Sequence, residues 1–204
     1  MQIFTCEQGT PEWHEARRGI PTASEFATVM AKGEGKTRRT YMLKLAGEII
    51  TGECAESYSN GHMERGKTME AEARELYALR NDVDPELVGF IRNGRMGCSP
   101  DSLIGERGGL EVKTCLPHIL IEHLLRDDMP PVFKAQVQGT LLVSGRDWWD
   151  LTVYWPKMTL VVHRALPERE YLANLRGEID RFNDELDALV ERVQRHGQPQ
   201  AVAA

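Results

Sequence analysis

The feature that most constrains the fold is a change in the spacing of apolar residues near position 85. Before it, Met69, Ala73 and Leu76 recur at helical spacing in a segment that we predict to be a helix over residues 64–79. After it come short segments of β-type composition, bounded by Asn-Gly, Ser-Pro and Gly-Gly pairs. We predict strands of a hairpin or meander at residues 87–92, 95–98, 102–104 and 110–114.

The other segments complete an order of helices, strands, helix, strands, helix. Helix starts are predicted at Thr10-Pro11 and at Thr22, where Glu25 three residues on indicates a capping box. Further helices are predicted over residues 41–50, about 131–143 and from near 168, and further strands over 148–155 and 159–165. This order predicts one α/β domain over residues 1–195, with a central mixed β-sheet flanked by helices, and a flexible tail over 196–204.

Composition narrows the location and the class of protein. No run of 18 apolar residues could span a membrane, and the N-terminus lacks the pattern of a signal peptide, so we expect a soluble intracellular protein. The formal charge of −6 argues against binding nucleic acid through a uniformly positive surface, but it allows a local basic groove. The cysteines are too scattered for a zinc site and are expected to be free thiols: Cys6, Cys54, Cys98 and Cys115.

The most informative stretch for chemistry is Asp101, followed after nine residues by Glu111-Val112-Lys113. Side chains alternate between the two faces of a strand, so Glu111 and Lys113 share one face and apolar residues fill the other. We expect a turn at Gly108-Gly109 to double the chain back and to bring Asp101 towards Glu111. Two carboxylates and one ammonium group would then converge.

This set of groups suits the hydrolysis of a phosphodiester. The carboxylates of Asp101 and Glu111 and the backbone carbonyl of Val112 are suitable ligands for Mg²⁺, for which Mn²⁺ can substitute. Lys113 can orient the attacking water and stabilise charge on the phosphate, or act as a base if it is desolvated. The same spacing also occurs by chance on solvated strands, so the pattern alone leaves both interpretations open.

Further motifs occur in the same order as in one known family. They are residues 13–24 (Trp-His, Arg, Gly, Thr-Ala-Ser), 66–74 (Gly-Lys, Glu, Ala-Arg), 99–113 (Ser-Pro-Asp and Leu-Glu-Val-Lys) and 135–138 (Ala-Gln-Val-Gln). Together they resemble the lambda-exonuclease, or YqaJ-like viral recombinase, family of PD-(D/E)xK nucleases. The resemblance covers about residues 11–140 and implies a restriction-endonuclease-like core.

The resemblance implies a role for each catalytic candidate. Asp101 and Glu111 would bind the metal, and Lys113 would be the catalytic lysine. Glu70 would complete the acidic site directly or through water, although it also suits an ordinary exposed helix position. Gln136 would help to place the lysine or the water, and its alternative is an amide on a helix surface.

The resemblance also implies contacts with DNA. Three residues match a pocket for the 5′-phosphate of a DNA end: Arg17, Ser24 and Ser99. An arginine fork and two hydroxyls suit a terminal phosphate. The structural alternatives are an i,i+3 ion pair for the arginine, a helix cap for Ser24 and a turn bond for Ser99.

Other DNA contacts are predicted from the loop over residues 32–39 and from Met63. The basic candidates are Lys36, Arg38 and Arg39, and Met63 matches an apolar residue that would separate the terminal base pairs, although it also suits a core position. The sequence departs from the family in this loop, where Glu34 lies near the expected cation, and again after Lys113.

The resemblance implies a magnesium-dependent 5′-to-3′ exonuclease that acts on ends of double-stranded DNA, releases mononucleotides and leaves 3′ overhangs for recombination. It implies a homotrimer, a single-strand annealing protein as partner, no membrane association and a phage or prophage protein in the bacterial cytoplasm. Two alternatives remain: another PD-(D/E)xK enzyme, such as a restriction-type endonuclease or a Cas4-like exonuclease, and a catalytically silent module that binds DNA ends.

Overall fold

Helices and strands follow one another largely in the predicted order. The computed structural model describes residues 1–31, 36–54, 61–126 and 128–196, and of residues 61–65 and 67 it describes the backbone alone. The helices are α1 (Pro11–Arg17), α2 (Phe26–Met30), α3 (Lys36–Thr51), α4 (Gly61–Asn81), α5 (Pro117–Leu124), α6 (Pro131–Ser144) and α7 (Arg169–Gln194). The strands are β1 (Gln2–Phe4), β2 (Pro85–Glu86), β3 (Phe90–Asn93), β4 (Met96–Cys98), β5 (Ser102–Ile104), β6 (Gly108–Thr114), β7 (Trp148–Tyr154) and β8 (Val161–Ala165).

A five-stranded mixed sheet lies at the centre of the fold. Its strand order is β2-β5-β6-β7-β8, and its middle strand β6 is antiparallel to β5 and parallel to β7. The predicted central mixed sheet is therefore confirmed. Of the two arrangements predicted for the strands over residues 87–114, the structure has hairpins, β3–β4 and β5–β6, and not a meander, because β3 and β4 join the N-terminal strand β1 in a separate three-stranded sheet.

Helices cover both faces of the larger sheet. On one face, Met69, Ala73 and Tyr77 of α4 pack against Leu110 and Val112 of β6. Leu76, which we predicted on the packed side of this helix, is 41% exposed, and Tyr77 takes that place because its hydroxyl donates a 2.6 Å hydrogen bond to buried Asp150.

On the other face, α6 packs against β7, and α7 packs against α6. One apolar stripe of α7 faces the core: Leu175, Ile179, Phe182, Leu186 and Val190 are buried, Tyr171 and Leu189 are half-buried, and Val193 beyond them is 46% exposed. This stripe shares one core cluster with Val137 and Leu141 of α6 and with Leu151 of β7. Glu111 pairs with Leu151 in the β6–β7 register and therefore lies on the α6 face of the sheet.

The Gly108-Gly109 pair does not form the predicted turn. Both glycines lie inside β6, and the reversal between β5 and β6 occurs before them, where Gly105 has a φ of +52°. A Cβ atom at Gly109 would lie 2.2 Å from the ring of Trp149, and one at Gly108 would lie 2.0 Å from the ring of Trp148. Glycine is therefore needed here because the tryptophan rings of β7 lie directly on the strand.

Two of the predicted helix starts differ from the structure. Thr10 caps α1 as expected, and its side chain accepts a hydrogen bond from the backbone N–H of Trp13. The capping box at Thr22 is wrong, because the residues after it form a 3-10 turn, Ala23–Glu25, without a side-chain cap. Helix α3 begins at Lys36 rather than at Tyr41, so the basic candidates of this region lie in the first turn of a helix.

The cysteines are free thiols, as predicted. Among the described residues, no helix has both the length and the apolar composition needed to cross a bilayer. The predicted tail lies, apart from His196, outside the described residues.

Candidate active site

The β5–β6 hairpin brings Asp101 and Glu111 to one end of the sheet. Ser102 pairs with Leu110, so the residues one step further along each strand, Asp101 and Glu111, face each other. The Asp101 carboxylate accepts a 2.6 Å hydrogen bond from the backbone N–H of Val112. Because β5 begins only at the next residue, Ser102, the aspartate side chain extends the hydrogen bonding of the strand pair beyond the strand and is fixed beside Glu111.

The Glu111 carboxylate is buried and held from two sides. Lys113 donates a 2.7 Å hydrogen bond to its Oε1 atom, and Gln136 of α6 donates to the same atom. Neither donor uses the second carboxylate oxygen, Oε2. The structure therefore brings Glu111, Lys113 and Gln136 into direct contact, and the lysine ammonium also lies 5.8 Å from the ring centroid of Phe133.

Glu70 approaches the same site from α4. Its carboxylate forms a 2.6 Å salt bridge with Arg74, one turn later on the helix, and its side chain is 31% exposed. Glu70 and Asp101 both line a cavity of about 490 Å³, together with Arg74 and the N-terminal segment around Gln8. Glu70 is thus neither remote from the carboxylate pair nor an isolated surface glutamate.

The site contains more negative charge than its surroundings neutralise. Burial raises the pKa of Asp101 well above its usual range, and the charges of Glu111 and Glu70 raise it further. Burial also raises the pKa of Glu70, against the opposing effect of Arg74. At Lys113, burial would lower the pKa, but the neighbouring Glu111 outweighs it, so the pKa is raised and the side chain is an ammonium group.

This electrostatic imbalance suits a divalent cation. Carboxylate oxygens are hard ligands of the kind that Mg²⁺ prefers, and a bound cation would favour the ionised form of Asp101. Among the described residues, no group of three or more histidine, cysteine or acidic side chains is arranged to hold a metal ion. The donor set of Asp101 and Glu111 therefore fits a cation whose coordination is completed by water and by phosphate oxygens.

Of the three residues proposed for the 5′-phosphate, Arg17 lines a second, smaller pocket, and Ser99 and Ser24 each contact a residue that lines it. Arg17 lines this pocket of about 100 Å³, and its guanidinium lies 4.0 Å from the ring centroid of Trp13. Ser99 accepts a 2.9 Å hydrogen bond from the Trp13 indole N–H. Ser24 lies 3.3 Å, hydroxyl to hydroxyl, from Thr22, which also lines the pocket.

Within the described residues 1–31, the structure has neither the ion pair considered for Arg17 nor the helix cap considered for Ser24. The i,i+3 ion pair on α1 joins Arg18 to Glu15 and leaves Arg17 stacked on Trp13. Ser24 lies within the 3-10 turn and not at its cap position, which is Thr22.

The basic residues at the start of α3 are in different environments. Lys36 and Arg39 are exposed, whereas Arg38 forms a 2.6 Å ion pair with Glu185 of α7 and donates to the carbonyl of Val29. The guanidinium of Arg38 therefore joins two elements of the fold. The side chain of Met63, our candidate for separating base pairs, lies outside the described residues.

Three residues that contact the site, Trp13, Arg74 and Gln8, had no role predicted from the sequence. Trp13 lies four residues before Arg17 and Glu70 four before Arg74, and this i,i+4 spacing could have indicated both contacts. Gln8 donates a 3.0 Å hydrogen bond to the carbonyl of Pro100, next to Asp101. No local pattern predicts that bond, because the two residues are 92 positions apart.

Comparisons with known proteins agree with the motifs. The family model of the YqaJ-like viral recombinase domain matches residues 12–147. Two solved structures of an alkaline exonuclease, LHK-Exo, are similar to the chain. The one described as being from Laribacter hongkongensis has 29% identity and a TM-score of 0.82, and the one in complex with dAMP has 30% identity and a TM-score of 0.83. Each comparison covers 91% of this chain and 97% of that one.

A more distant structure shows a likeness of fold alone. It is a phage-related exonuclease from Haemophilus somnus 129PT, with 10% identity and a TM-score of 0.66 over 88% of this chain and 99% of that one. No curated protein sequence matches the chain. The family match and the LHK-Exo structures confirm the resemblance of the motifs, and the chain therefore belongs to the YqaJ-like viral recombinase family.

Proposed function

We propose that the protein is a magnesium-dependent exonuclease that degrades the 5′-ended strand of double-stranded DNA and releases mononucleotides. Family membership and the similarity to an alkaline exonuclease support a recombination-associated exonuclease. The observation that carries the metal-dependent step is the pairing of Asp101 with Glu111 next to Lys113. The complex of LHK-Exo with dAMP supports a mononucleotide product.

Each residue of the site has a distinct task in this proposal. Asp101 and Glu111 hold the cation, with the carbonyl of Val112 as a further ligand and Glu70 as a third acid that acts directly or through water. When bound, Mg²⁺ or Mn²⁺ supplies Lewis acidity for the phosphate and for the attacking water. Lys113 stabilises negative charge on the phosphate and orients the water. Gln136 keeps the Glu111 carboxylate in place.

The direction of digestion would follow from the pocket around Arg17. A 5′-terminal phosphate has one more non-bridging oxygen than an internal phosphate and can accept more hydrogen bonds. The guanidinium of Arg17 and the hydroxyls of Ser24 and Ser99 would therefore distinguish the end of a strand from its interior. Lys36, Arg38 and Arg39 would contact the duplex, and for Arg38 this requires exchanging its ion pair with Glu185 for a phosphate. Met63 would separate the terminal base pairs.

The setting we propose is phage-type homologous recombination in the cytoplasm of a bacterial host. Digestion of the 5′ strand leaves a 3′ overhang, which a single-strand annealing protein of the same system would receive. We further propose a homotrimer around the DNA. A closed ring gives processivity by topology, which suits a chain whose net charge is −6.

Digestion of linear duplex DNA labelled at either end tests the proposal. With Mg²⁺, we expect a 5′ label to appear first as a mononucleotide and a 3′ label to remain on a long single strand. With EDTA, we expect no digestion.

The controls separate the other classes of function. A closed circular duplex should remain intact, and its cleavage would indicate a restriction-type endonuclease. Early release of the 3′ label would reverse the proposed direction. Binding to ends without magnesium-dependent digestion would indicate a silent end-binding module and overturn the proposal.

A further inference from the structure

The indole of Trp13 contacts two of the groups in the proposed 5′-phosphate pocket. Its N–H donates to the hydroxyl of Ser99 at 2.9 Å and to the backbone carbonyl of Gly89 at 3.0 Å. The guanidinium of Arg17 lies over its ring, 4.0 Å from the ring centroid. The two partners come from different parts of the chain, α1 and the loop after β4, so this one side chain sets their relative position.

The hydrogen bond from Trp13 fixes the direction in which Ser99 can donate. An indole N–H is a donor alone, whereas a serine hydroxyl has one hydrogen to donate and two lone pairs. Since the Ser99 oxygen accepts from the indole, its own hydrogen must point elsewhere. A phosphate oxygen accepts hydrogen bonds, so a serine held in this way is a preset donor for an anion.

The stacking on Trp13 has a similar effect on Arg17. Residues four apart lie on the same side of a helix, and the ring supports the flat face of the guanidinium. The N–H groups of arginine lie in the plane of that group and remain able to form a bidentate contact. Burial lowers the pKa of Arg17, and this loss of hydration outweighs the opposing effect of the neighbouring Tyr41 and Glu48.

The pocket itself has room for one small anion. Its volume is about 100 Å³, several times the roughly 30 Å³ that one water molecule occupies in the liquid. Its lining includes Trp13, Arg17 and Thr22, together with Lys44 of α3 as a second cation. Two acids, Glu25 and Glu48, also line the pocket, and Glu48 accepts a hydrogen bond from the backbone N–H of Gly19 at 2.9 Å.

We propose that Trp13 is a positioning residue that presets Ser99 as a donor and Arg17 as a stacked fork, and thereby makes the pocket selective for a terminal 5′-phosphate. This inference rests on the proposed 5′-phosphate site. It gives a physical reason for the tryptophan at the start of the first motif, which the proposed chemistry does not otherwise use.

The variant Trp13→Phe tests this inference, because it keeps an aromatic face for Arg17 and removes the N–H that holds Ser99. Initial digestion rates are measured on linear duplexes with a 5′-phosphate and with a 5′-hydroxyl. We expect the ratio of kcat/KM for the two ends to fall about tenfold, since a hydrogen bond to a charged group is lost or misdirected. The loss should come from a higher KM on phosphorylated ends, with kcat and the 5′-hydroxyl rates little changed.

Two further variants identify the cause. In a Ser99→Ala background, Trp13→Phe should cause no further loss of selectivity, because the hydroxyl that it positions is already absent. Trp148→Phe, at a tryptophan that lies against Gly108 of β6, should retain full selectivity. If Trp13→Phe folds poorly, Ser99→Ala alone should still reproduce the fall in selectivity.

Each outcome has a defined meaning. Full selectivity in folded Trp13→Phe, or equal losses on both kinds of end, would overturn the positioning role. An additive loss in the double variant would do the same. If the unmodified protein does not distinguish 5′-phosphate from 5′-hydroxyl ends, the proposed phosphate site fails, and the inference fails with it.

Discussion

Asp101, which we propose as a metal ligand, shows how a buried carboxylate can lower the stability of the fold. Burial and two neighbouring carboxylates raise its pKa, whereas the unfolded chain exposes it to water. A group whose pKa is higher in the folded state contributes its full stability below the unfolded pKa, and this contribution is lost as the pH rises through the folded pKa. At neutral pH and without a cation, an ionised Asp101 therefore works against folding.

Replacing Asp101 with asparagine should separate stability from activity. The amide oxygen can still accept from the N–H of Val112, while the repulsion from Glu111 disappears. We expect a Tm in EDTA that is equal to or higher than that of the unmodified protein, and a loss of digestion of more than about 100-fold, since even the indirect supports of a metal site are worth about 10–100-fold.

Differential scanning calorimetry and digestion of linear duplex DNA measure the two quantities. Lys157→Gln, at an exposed lysine in the turn between β7 and β8, is a surface control that should leave digestion unchanged. Substantial digestion by folded Asp101→Asn would contradict the assignment of this residue.

At the residue scale, local spacing predicted some of the contacts and left out others. The alternation of Glu111 and Lys113 on one strand face follows from the period of a β-strand, and their hydrogen bond agrees with it. The family resemblance alone placed Gln136 beside the site, with a role in placing the lysine or the water. Its bond to Glu111 was not predicted, because the two residues are 25 positions apart and no short-range pattern links them. The hydrogen bonds of Trp13 with Ser99 and Gly89, and that of Gln8 with Pro100, depend on where distant loops meet, which the sequence does not show.

At the scale of elements, β6 is the strand on which the site depends. It pairs with β5 to place Asp101, and its side chains reach α4 on one face and α6 on the other. Its first two residues are glycines because Trp148 and Trp149 of β7 occupy the space that a side chain would need.

Replacing Gly109 with alanine should therefore destabilise the protein. The added methyl group would lie 2.2 Å from the ring of Trp149, which is fully buried and has no room to move. We expect the free energy of unfolding to fall by about 1–3 kcal/mol, the usual range for overpacking. Urea denaturation followed by tryptophan fluorescence measures this change.

Gly177→Ala is the matched control. Gly177 lies within α7, and a Cβ atom there would meet nothing within 4 Å. This variant should be about 0.5–1 kcal/mol more stable, because alanine favours a helix over glycine. Equal effects of the two substitutions would show that the tryptophan contact is not what requires glycine in β6.

The elements that the sequence predicted well are those with a strong period or a clear boundary. The β5 segment, the long α7 and the start of α1 have these signals. Helix α5 was not predicted because its 8 residues make only about two turns, and β1 was missed because its 3 residues are too few to show a period. The Gly-Gly pair was misread as a turn because its cause lies about 40 residues away, on β7.

At the scale of the whole molecule, the sheet and its helices bring together motifs that are far apart in sequence. The carboxylate pair comes from the β5–β6 hairpin, Glu70 from α4 and Gln136 from α6, while the pocket of Arg17 lies at α1. Sequence patterns predicted the fold class, and the motif order predicted the family. The β3–β4 hairpin lies in the three-stranded sheet and the β5–β6 hairpin in the five-stranded sheet. This division depends on tertiary contacts that no single segment encodes.

The central claim is that Asp101 and Glu111 hold a divalent cation. Anomalous diffraction from crystals grown with Mn²⁺ tests it directly, with Asp101→Asn crystals as the control. We expect an anomalous peak within coordination distance of both carboxylates, and a weaker peak or none in the variant. A manganese ion bound elsewhere, or no ion at a Mn²⁺ concentration that supports digestion, would contradict it.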